Sequence, residues 1–208
     1  MDTTNPPGLI RRWLGCFRWE LCLIWPVILA FVYAGFFVHS RLLSKGFHEV
    51  AAPAILGAAV VVMFVRWLGE RQPLVLILLA LDVAFFCREL HFKGTSMGVY
   101  VALPLIGIWT LLWWRNIRDD LRCSGTTPYL FFGFMTYVLS QAVARRAFRG
   151  ILPLEADSDV FRTGLEEVLE NVAHLAMLFV ALRGFARRSE DEEEEEEGSC
   201  PLPKLSED

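Results

Sequence analysis

The stretch that decides the fold of this chain is residues 81–92, LDVAFFCRELHF, which form the second half of a long apolar segment. Its ionisable side chains lie where the surrounding composition is that of a lipid-embedded helix: Asp82, Arg88, Glu89 and His91. Ionisable groups at such depth are costly, and they usually pair with one another or serve a function. The stretch therefore predicts both a membrane-spanning helix and a functional site on it.

The composition of the whole chain is typical of an integral membrane protein. Apolar residues make up 54% of the 208 residues, and the mean hydropathy of +0.41 is high for a soluble domain. The formal net charge of -4 comes from an acidic run near the C-terminus, without which the chain is basic. The five cysteines include no Cys-x-x-Cys pair, so they suggest neither a disulfide framework nor a thiolate zinc site. Membrane lipid is thus the predicted partner, and no nucleic-acid partner is predicted.

Six apolar segments predict six transmembrane helices. In hydrocarbon the backbone amides must be bonded within the segment, so one helical span needs about 20 mostly apolar residues. The six segments are residues 19–39, 51–68, 74–92, 97–114, 128–147 and a last one that begins between 158 and 165 and ends near 182. Pro26 predicts a kink in the first helix. Thr163 with Glu166 predicts a capping box at the start of the sixth, with Ser158 as the alternative N-cap. The predicted fold class is all-α, a polytopic integral membrane helix bundle.

The chain divides into a six-helix transmembrane domain, residues 1–188, and an acidic tail, residues 189–208. The tail has no means of burying a core and is predicted to be disordered, with binding of a basic partner as the alternative role for its charge. An even number of spans puts both termini on one side, and the distribution of arginine and lysine favours the cytoplasm for that side. We therefore expect a multi-pass protein with a cytoplasmic tail, whose oligomeric state the sequence does not indicate.

Alternating helix direction brings ionisable side chains from several helices to one half of the protein. The first, third and fifth helices end on the side where the second and sixth begin, and all four histidines fall in that half. In the sixth helix, Glu167, Glu170 and His174 are spaced by three and four residues, which aligns them on one face. Asp82 lies at about the same depth as His174. We therefore expect the third and sixth helices to face each other.

A divalent metal ion such as zinc is one ligand that this cluster could hold. Carboxylate oxygen and imidazole nitrogen are the groups that zinc, iron and manganese accept from helix bundles. The candidate ligands are His91, Glu167, Glu170 and His174. In a metal-dependent hydrolase acting on a lipid or envelope substrate, the metal would polarise a water whose proton passes to a carboxylate. The candidates for that catalytic role are Asp82, Glu89 and Glu170.

Two other functions remain open for the same region. Buried charges on neighbouring helices can form an ion-pair network that fixes helix register, as expected of a structural or accessory membrane protein. The residues of that network are Arg88, Glu89, Arg145, Arg146 and Glu167, with Glu170 as an alternative partner of Arg88. A proton- or ion-coupled carrier would instead use carboxylates and histidine as relay stations: Asp82, Glu89, Glu170 and His174. The sequence favours the structural or accessory role.

Two short motifs carry a resemblance to known proteins. RELHF at residues 88–92 and EEVLE at residues 166–170 resemble motifs of small, uncharacterised bacterial six-helix inner-membrane proteins. The resemblance implies a location in the bacterial inner (cell) membrane. It implies no particular reaction.

A looser similarity is to the membrane hydrolases that include alkaline ceramidases and progestin-receptor-like proteins. Those proteins hold zinc by three histidines, with an aspartate and a serine nearby. The similarity implies that Asp82 corresponds to the aspartate and that His91 and His174 correspond to two of the histidines. The chain lacks the His-x-x-x-His of their last helix, so the third histidine would be His39 or His48.

Overall fold

The computed structural model describes five parts of the chain: residues 19–38, 45–90, 95–123, 125–147 and 159–185. A short 3-10 helix, Trp19–Leu23, leads into seven α-helices within these parts. They are α1 Ile24–Val38, α2 Lys45–Glu70, α3 Pro73–Glu89, α4 Thr95–Leu112, α5 Trp114–Cys123, α6 Thr127–Ala144 and α7 Asp159–Arg183. No β-strand occurs in the described parts, where the predicted all-α class is therefore confirmed.

The bundle is built around α7. This helix packs along α6 and α2 and makes a smaller contact with α1, while α3 packs between α2 and α4. α2 runs parallel to α7, because His48 near the start of α2 meets Asn171 and Arg66 near its end meets the carbonyl oxygen of Ala181. The shared direction places the start of α2 beside the middle of α7.

α6 and α7 form the most extensive helix pair and run in opposite directions. Tyr129 near the start of α6 packs against Phe179 near the end of α7, with ring centroids 4.8 Å apart. Gly133 permits the approach, because a Cβ there would lie 3.1 Å from the Cβ of Ala176 and 3.6 Å from the carbonyl oxygen of Ala173. Small residues at such a crossing let two helix backbones come close together, which increases their van der Waals contact.

Apolar side chains fill two clusters inside the bundle. The larger cluster joins α2, α3, α5 and α7 and comprises Met63, Leu74, Val75, Ile77, Leu78, Ile117, Met177, Val180, Ala181 and Phe185. The smaller cluster joins α1, α6 and α7 and comprises Ile28, Val32, Val143, Phe161, Leu165 and Leu169. The short helix α5 contributes its buried Ile117 to the larger cluster, so α5 is part of the packed body.

The outer surface of the bundle is also apolar. Exposed large apolar side chains lie on α1, α2, α4, α6 and α7, among them Val27, Phe31, Val61, Phe64, Val65, Tyr100, Val101, Leu105, Leu111, Phe134 and Leu182. An extended apolar surface is unusual on a soluble monomer and marks contact with a membrane or with another protein.

One described helix has both the length and the hydropathy of a membrane span. The segment Gly46–Glu70 has 25 residues and a mean hydropathy of 2.0, and only 22% of its most apolar window is buried. A core helix of a soluble protein passes the same test when it is mostly buried, which this helix is not. Two further apolar segments in the described parts are shorter, Glu20–Gly35 and Gly98–Leu112. By length and composition, the described residues thus support one membrane-spanning helix.

Two helices differ from those predicted from the sequence. α2 begins at Lys45 rather than at residue 51. The polar residues His48 and Glu49 interrupt the apolar pattern there, but the helix continues because His48 is buried against α7. The 10-residue helix α5 is not among the predicted segments, since its composition is polar and its length is far below that of a span.

Two local predictions concern helix termini. The kink at Pro26 stays a prediction, and Pro26 is the third residue of α1, which follows the 3-10 helix Trp19–Leu23 directly. Thr163 lies inside α7, which begins at Asp159, so Thr163 and Glu166 do not cap the start of the helix. The alternative cap, Ser158, lies outside the described residues.

Candidate functional site

The end of α3 is joined to α6 and α7 by a partly buried polar network. The guanidinium group of Arg88 places Nη2 3.0 Å from Oε1 of Glu170, and its Nη1 donates to the hydroxyl oxygen of Tyr137. Nε2 of Gln141 donates to the same carboxylate oxygen of Glu170 at 2.8 Å. The Arg88 guanidinium also lies over the Tyr137 ring, with Cζ 5.7 Å from the ring centroid. The Arg88–Glu170 ion pair and its two neutral partners, Tyr137 and Gln141, therefore connect three helices.

Chain direction explains why these residues meet. Arg88 stands in the last turn of α3, and Tyr137 and Gln141 stand four residues apart on one face of α6. α3 and α6 both run toward the side where α7 begins, so their final turns reach Glu170. The Glu170 carboxylate is almost fully buried, and its charge is compensated by Arg88 and Gln141. Replacing Arg88 or Glu170 by a neutral residue would leave the charge of the other uncompensated, at a cost of about 3 to 5 kcal/mol.

A second polar contact lies next to the network. Nδ2 of Asn171 is 2.6 Å from Nδ1 of His48, and both side chains are buried. An amide nitrogen can only donate, so Nδ1 of His48 accepts in this arrangement and the ring proton belongs to Nε2. The contact fixes the first turns of α2 against α7, one residue beyond Glu170.

Two ionisable side chains are buried without any hydrogen-bond partner among the described residues. Asp82 in α3 is 0% exposed, and neither of its carboxylate oxygens is bonded. His174 in α7 is 2% exposed, and neither of its ring nitrogens is bonded. A buried polar group without a partner costs about 1 to 3 kcal/mol, and an uncompensated buried charge costs more. Among the described residues, Asp82 and His174 are therefore ionisable side chains whose burial no hydrogen bond offsets.

An apolar cavity of about 340 Å³ lies between the helices at the level of His174. Its wall is formed by α3, α4, α5, α6 and α7, through residues such as Leu78, Phe85, Ile106, Ile117, Phe134 and Met177. The His174 ring is part of this wall. Ligand pockets in proteins commonly have this character, a mostly apolar wall with a few polar groups that orient the ligand.

The predicted metal ligands do not converge in the described part of the chain. Glu170 is engaged with Arg88, Glu167 is half-buried on α7, and His174 has no carboxylate or imidazole bonded to it. Among the described residues, no group of three or more His, Cys, Asp or Glu side chains is placed to hold a metal ion. His91 lies outside the described residues, as does His39.

The remaining predicted network residues lie at the ends of helices. Glu89 is the half-buried last residue of α3, whereas Arg145 and Arg146 follow the end of α6 and are exposed. Tyr137 and Asn171 were not among the residues predicted from the sequence. The signal for Asn171 was present, because an amide beside Glu170 in a largely apolar helix has to find a partner.

Comparison of the chain with protein-family models, with curated proteins and with solved structures finds no match. The chemistry of the site therefore follows from the geometry above. A compensated ion pair can hold three helices in register, and an apolar cavity can accept an apolar molecule.

Proposed function

We propose that this chain is a six-span membrane protein with a structural or accessory role, in which the Arg88–Glu170 network fixes the register of the helices. The proposal rests on one observation, the distribution of polarity in the bundle. Ionisable and amide side chains are buried inside, whereas large apolar side chains such as Phe64 and Leu105 are exposed outside. This distribution is the reverse of that in a soluble protein, and it matches a body surrounded by lipid.

The short helix α5 supports this proposal. Ile117 is buried in α5, while Trp113, Trp114 and Arg115 at its start are exposed. A short amphipathic helix with aromatic and basic residues is typical of the membrane–water interface. α5 would then lie along the membrane surface and connect two spans, α4 and α6.

The position of α5 supports one orientation of the proposed protein. Ile117 packs with Met63 and Phe185, which lie near the ends of α2 and α7. This end of the bundle carries many arginines, Arg66, Arg71, Arg115, Arg118, Arg122 and Arg183. Because positively charged residues are enriched in short cytoplasmic loops, we place this end and both termini in the cytoplasm. A location in the bacterial inner membrane rests on the resemblance of the RELHF and EEVLE motifs.

The structural role is preferred to the two chemical alternatives because the charges of the network compensate one another. Arg88 and Glu170 are bonded to each other and to neutral partners, as in a register-fixing pair. A metal-dependent hydrolase would need further ligands from outside the described residues, such as His91. A carrier would need Asp82 and His174 to exchange protons, and the described residues contain no hydrogen bond that connects the two.

The topology is tested by labelling single cysteines in the full chain, on a background without the native cysteines. Leu90→Cys and Ala147→Cys lie at exposed positions on one end of the bundle, and Arg71→Cys and Gly125→Cys on the other. We expect a membrane-impermeant maleimide to label the first pair in intact spheroplasts and the second pair only after permeabilisation. Equal labelling of all four positions, or release of the protein from membranes by alkaline carbonate, would contradict the proposal.

A further inference from the structure

We propose that the acidic run at residues 190–197 docks on the arginine-rich end of its own chain, on a basic surface formed by Arg71, Arg115 and Arg183. Such docking adds a contact within the chain to the proposed structural role. It does not depend on the proposed topology, because the run follows α7 at the end of the bundle that carries the three arginines, on whichever side of a membrane that end lies.

The basic surface is built from the ends of three helices. Arg183 is the last residue of α7, Arg71 follows the last residue of α2, and Arg115 is the second residue of α5. All three residues are exposed. Their helices share one apolar cluster, in which Ile117 of α5 packs with Phe185 just after α7. The three arginines therefore lie at one end of the bundle, on neighbouring helices.

Aromatic rings, rather than carboxylates, hold two of these guanidinium groups. Cζ of Arg71 lies 5.4 Å from the centroid of the Trp67 ring, and Cζ of Arg183 lies 5.5 Å from that of the Tyr129 ring. Among the described residues, none of Arg71, Arg115 and Arg183 forms an ion pair. A planar guanidinium beside a ring keeps N–H donors in its own plane, where a carboxylate can accept from them.

The carboxylates at this end of the bundle do not balance its positive charge. Glu70 is bonded to Arg66 at 2.6 Å, and Asp120 is only 6% exposed. Residues 66–72, residues 113–125 and Arg183 together contain six arginines and three acidic residues. Such a surplus of one sign attracts the opposite charge over about one Debye length, ~10 Å at 0.1 M salt.

The acidic run is close enough along the chain to reach the whole basic surface. It begins five residues after Phe185, which packs beside α5. At about 3.3 Å per extended residue, five residues reach about 16 Å, and an eight-residue run spans about 26 Å. Neighbouring packed helices are about 8 to 10 Å apart, so the run can reach the ends of α2, α5 and α7 together.

Attachment to the same chain favours the run over a separate polyanion. Residues 190–197 are eight consecutive carboxylates, more than the surplus of positive charge at this end. A short tether gives a linked segment an effective concentration in the mM range, so contacts that are individually weak are sufficient for docking. An anionic phospholipid with one phosphate brings a single charge per molecule, and it has to compete with the attached run.

The test measures the reactivity of each arginine in the full-length protein, in phosphatidylcholine nanodiscs. Phenylglyoxal modifies exposed guanidinium groups, and mass spectrometry of the peptides gives the rate at each arginine. The comparison is with a neutral-run variant, in which Asp191→Asn is combined with Glu→Gln at the seven glutamates of residues 190–197. Arg145, which is exposed at the opposite end of the bundle, is the internal control.

We expect Arg71, Arg115 and Arg183 to react about threefold more slowly in the parent than in the neutral-run variant at low salt, as for a run that is docked about two-thirds of the time. The difference should vanish at about 1 M salt, where the Debye length falls to ~3 Å. Arg145 should react equally in both proteins. Equal rates at the three arginines in parent and variant at low salt would overturn the proposal.

The same measurement with about 30% phosphatidylglycerol in the nanodiscs tests the other occupant, an anionic lipid headgroup. We expect the parent to stay more protected than the variant. Protection that is equal in the two proteins would assign the basic surface to lipid and overturn the proposal. If the variant does not fold, the rates of the parent at low and high salt, relative to Arg145, decide the proposal. Because nanodiscs leave both ends of the bundle accessible, a wrong topology would not alter these results.

Discussion

Arg88 and Glu170 are 82 positions apart in the chain, yet their side chains form a 3.0 Å ion pair that joins α3 to α7. α7 packs mainly against α6 and α2, so α3 reaches it through this long arginine side chain and through apolar contacts further along. In the proposed structural role, this pair would fix the rotation and the height of α3 relative to the rest of the bundle.

Neutralising one member of this pair should destabilise the protein strongly. Glu170→Gln leaves the Arg88 guanidinium uncompensated, and we expect a loss of about 3 to 5 kcal/mol in the free energy of unfolding. The loss is measured by thermal or denaturant unfolding in detergent micelles. Glu70→Gln is the matched control, since Glu70 forms an i, i+4 ion pair with Arg66 at a more exposed position and should cost about 1 kcal/mol or less.

The double variant Arg88→Met with Glu170→Leu completes the test. It removes both charges, so it should be more stable than Arg88→Met or Glu170→Leu alone, with a coupling of about 1 to 3 kcal/mol. Additive losses from the two single variants would show that the two side chains do not stabilise each other.

The sequence could predict the helices and the end of the bundle where ionisable side chains cluster. Both follow from the hydropathy pattern and from the alternating direction of the helices. Apolar segments marked the long helices, and alternating direction placed the end of α3 near the first half of α7. α5 could not be predicted from hydropathy, since polar residues dominate it and its apolar contacts with the core come from few side chains, Ile117 and Leu121 among them. The cavity could not be predicted either, because it depends on how far α4 and α6 stand apart.

Replacing Asp82 by leucine should stabilise the protein. The Asp82 carboxyl group is fully buried and has no hydrogen-bond partner among the described residues, so its removal relieves a cost of about 1 to 3 kcal/mol. The measurement is the melting temperature in micelles, with Val83→Leu on the exposed side of the same helix as the control. A lower melting temperature for Asp82→Leu alone would show that the carboxyl group makes a stabilising contact.

The crossing of α6 and α7 should be sensitive to a single methyl group. Gly133→Ala would place Cβ 3.1 Å from the Cβ of Ala176, so the helices must separate slightly. Overpacking of this kind costs about 1 to 3 kcal/mol. Gly107→Ala in α4 meets nothing within 4 Å and should gain about 0.5 to 1 kcal/mol from better helix propensity. The prediction fails if unfolding measurements give both variants the same stability.

The C-terminal end of α7 depends on Gly184, which has a φ of +71°. Arg66 donates from Nη1 to the carbonyl oxygens of Ala181 and Leu182 at 3.1 and 3.3 Å. These carbonyl groups lie in the last turn of α7 and have no hydrogen-bond donor within the helix. A Cβ at residue 184 would lie 1.8 Å from Nη2 of Arg66. Gly184→Ala therefore combines left-handed strain of about 1 to 2 kcal/mol with displacement of the capping guanidinium.

We expect Gly184→Ala to lower the free energy of unfolding by about 2 kcal/mol or more, because the strain and the lost cap add. Gly69→Ala is the control, since a Cβ there meets nothing within 4 Å and the residue lies in α2 close to Arg66. Arg66→Met isolates the capping contribution from the strain. If Gly184→Ala costs no more than strain alone and Arg66→Met costs nothing, the guanidinium is not a cap, and α7 ends at Gly184 through backbone geometry only.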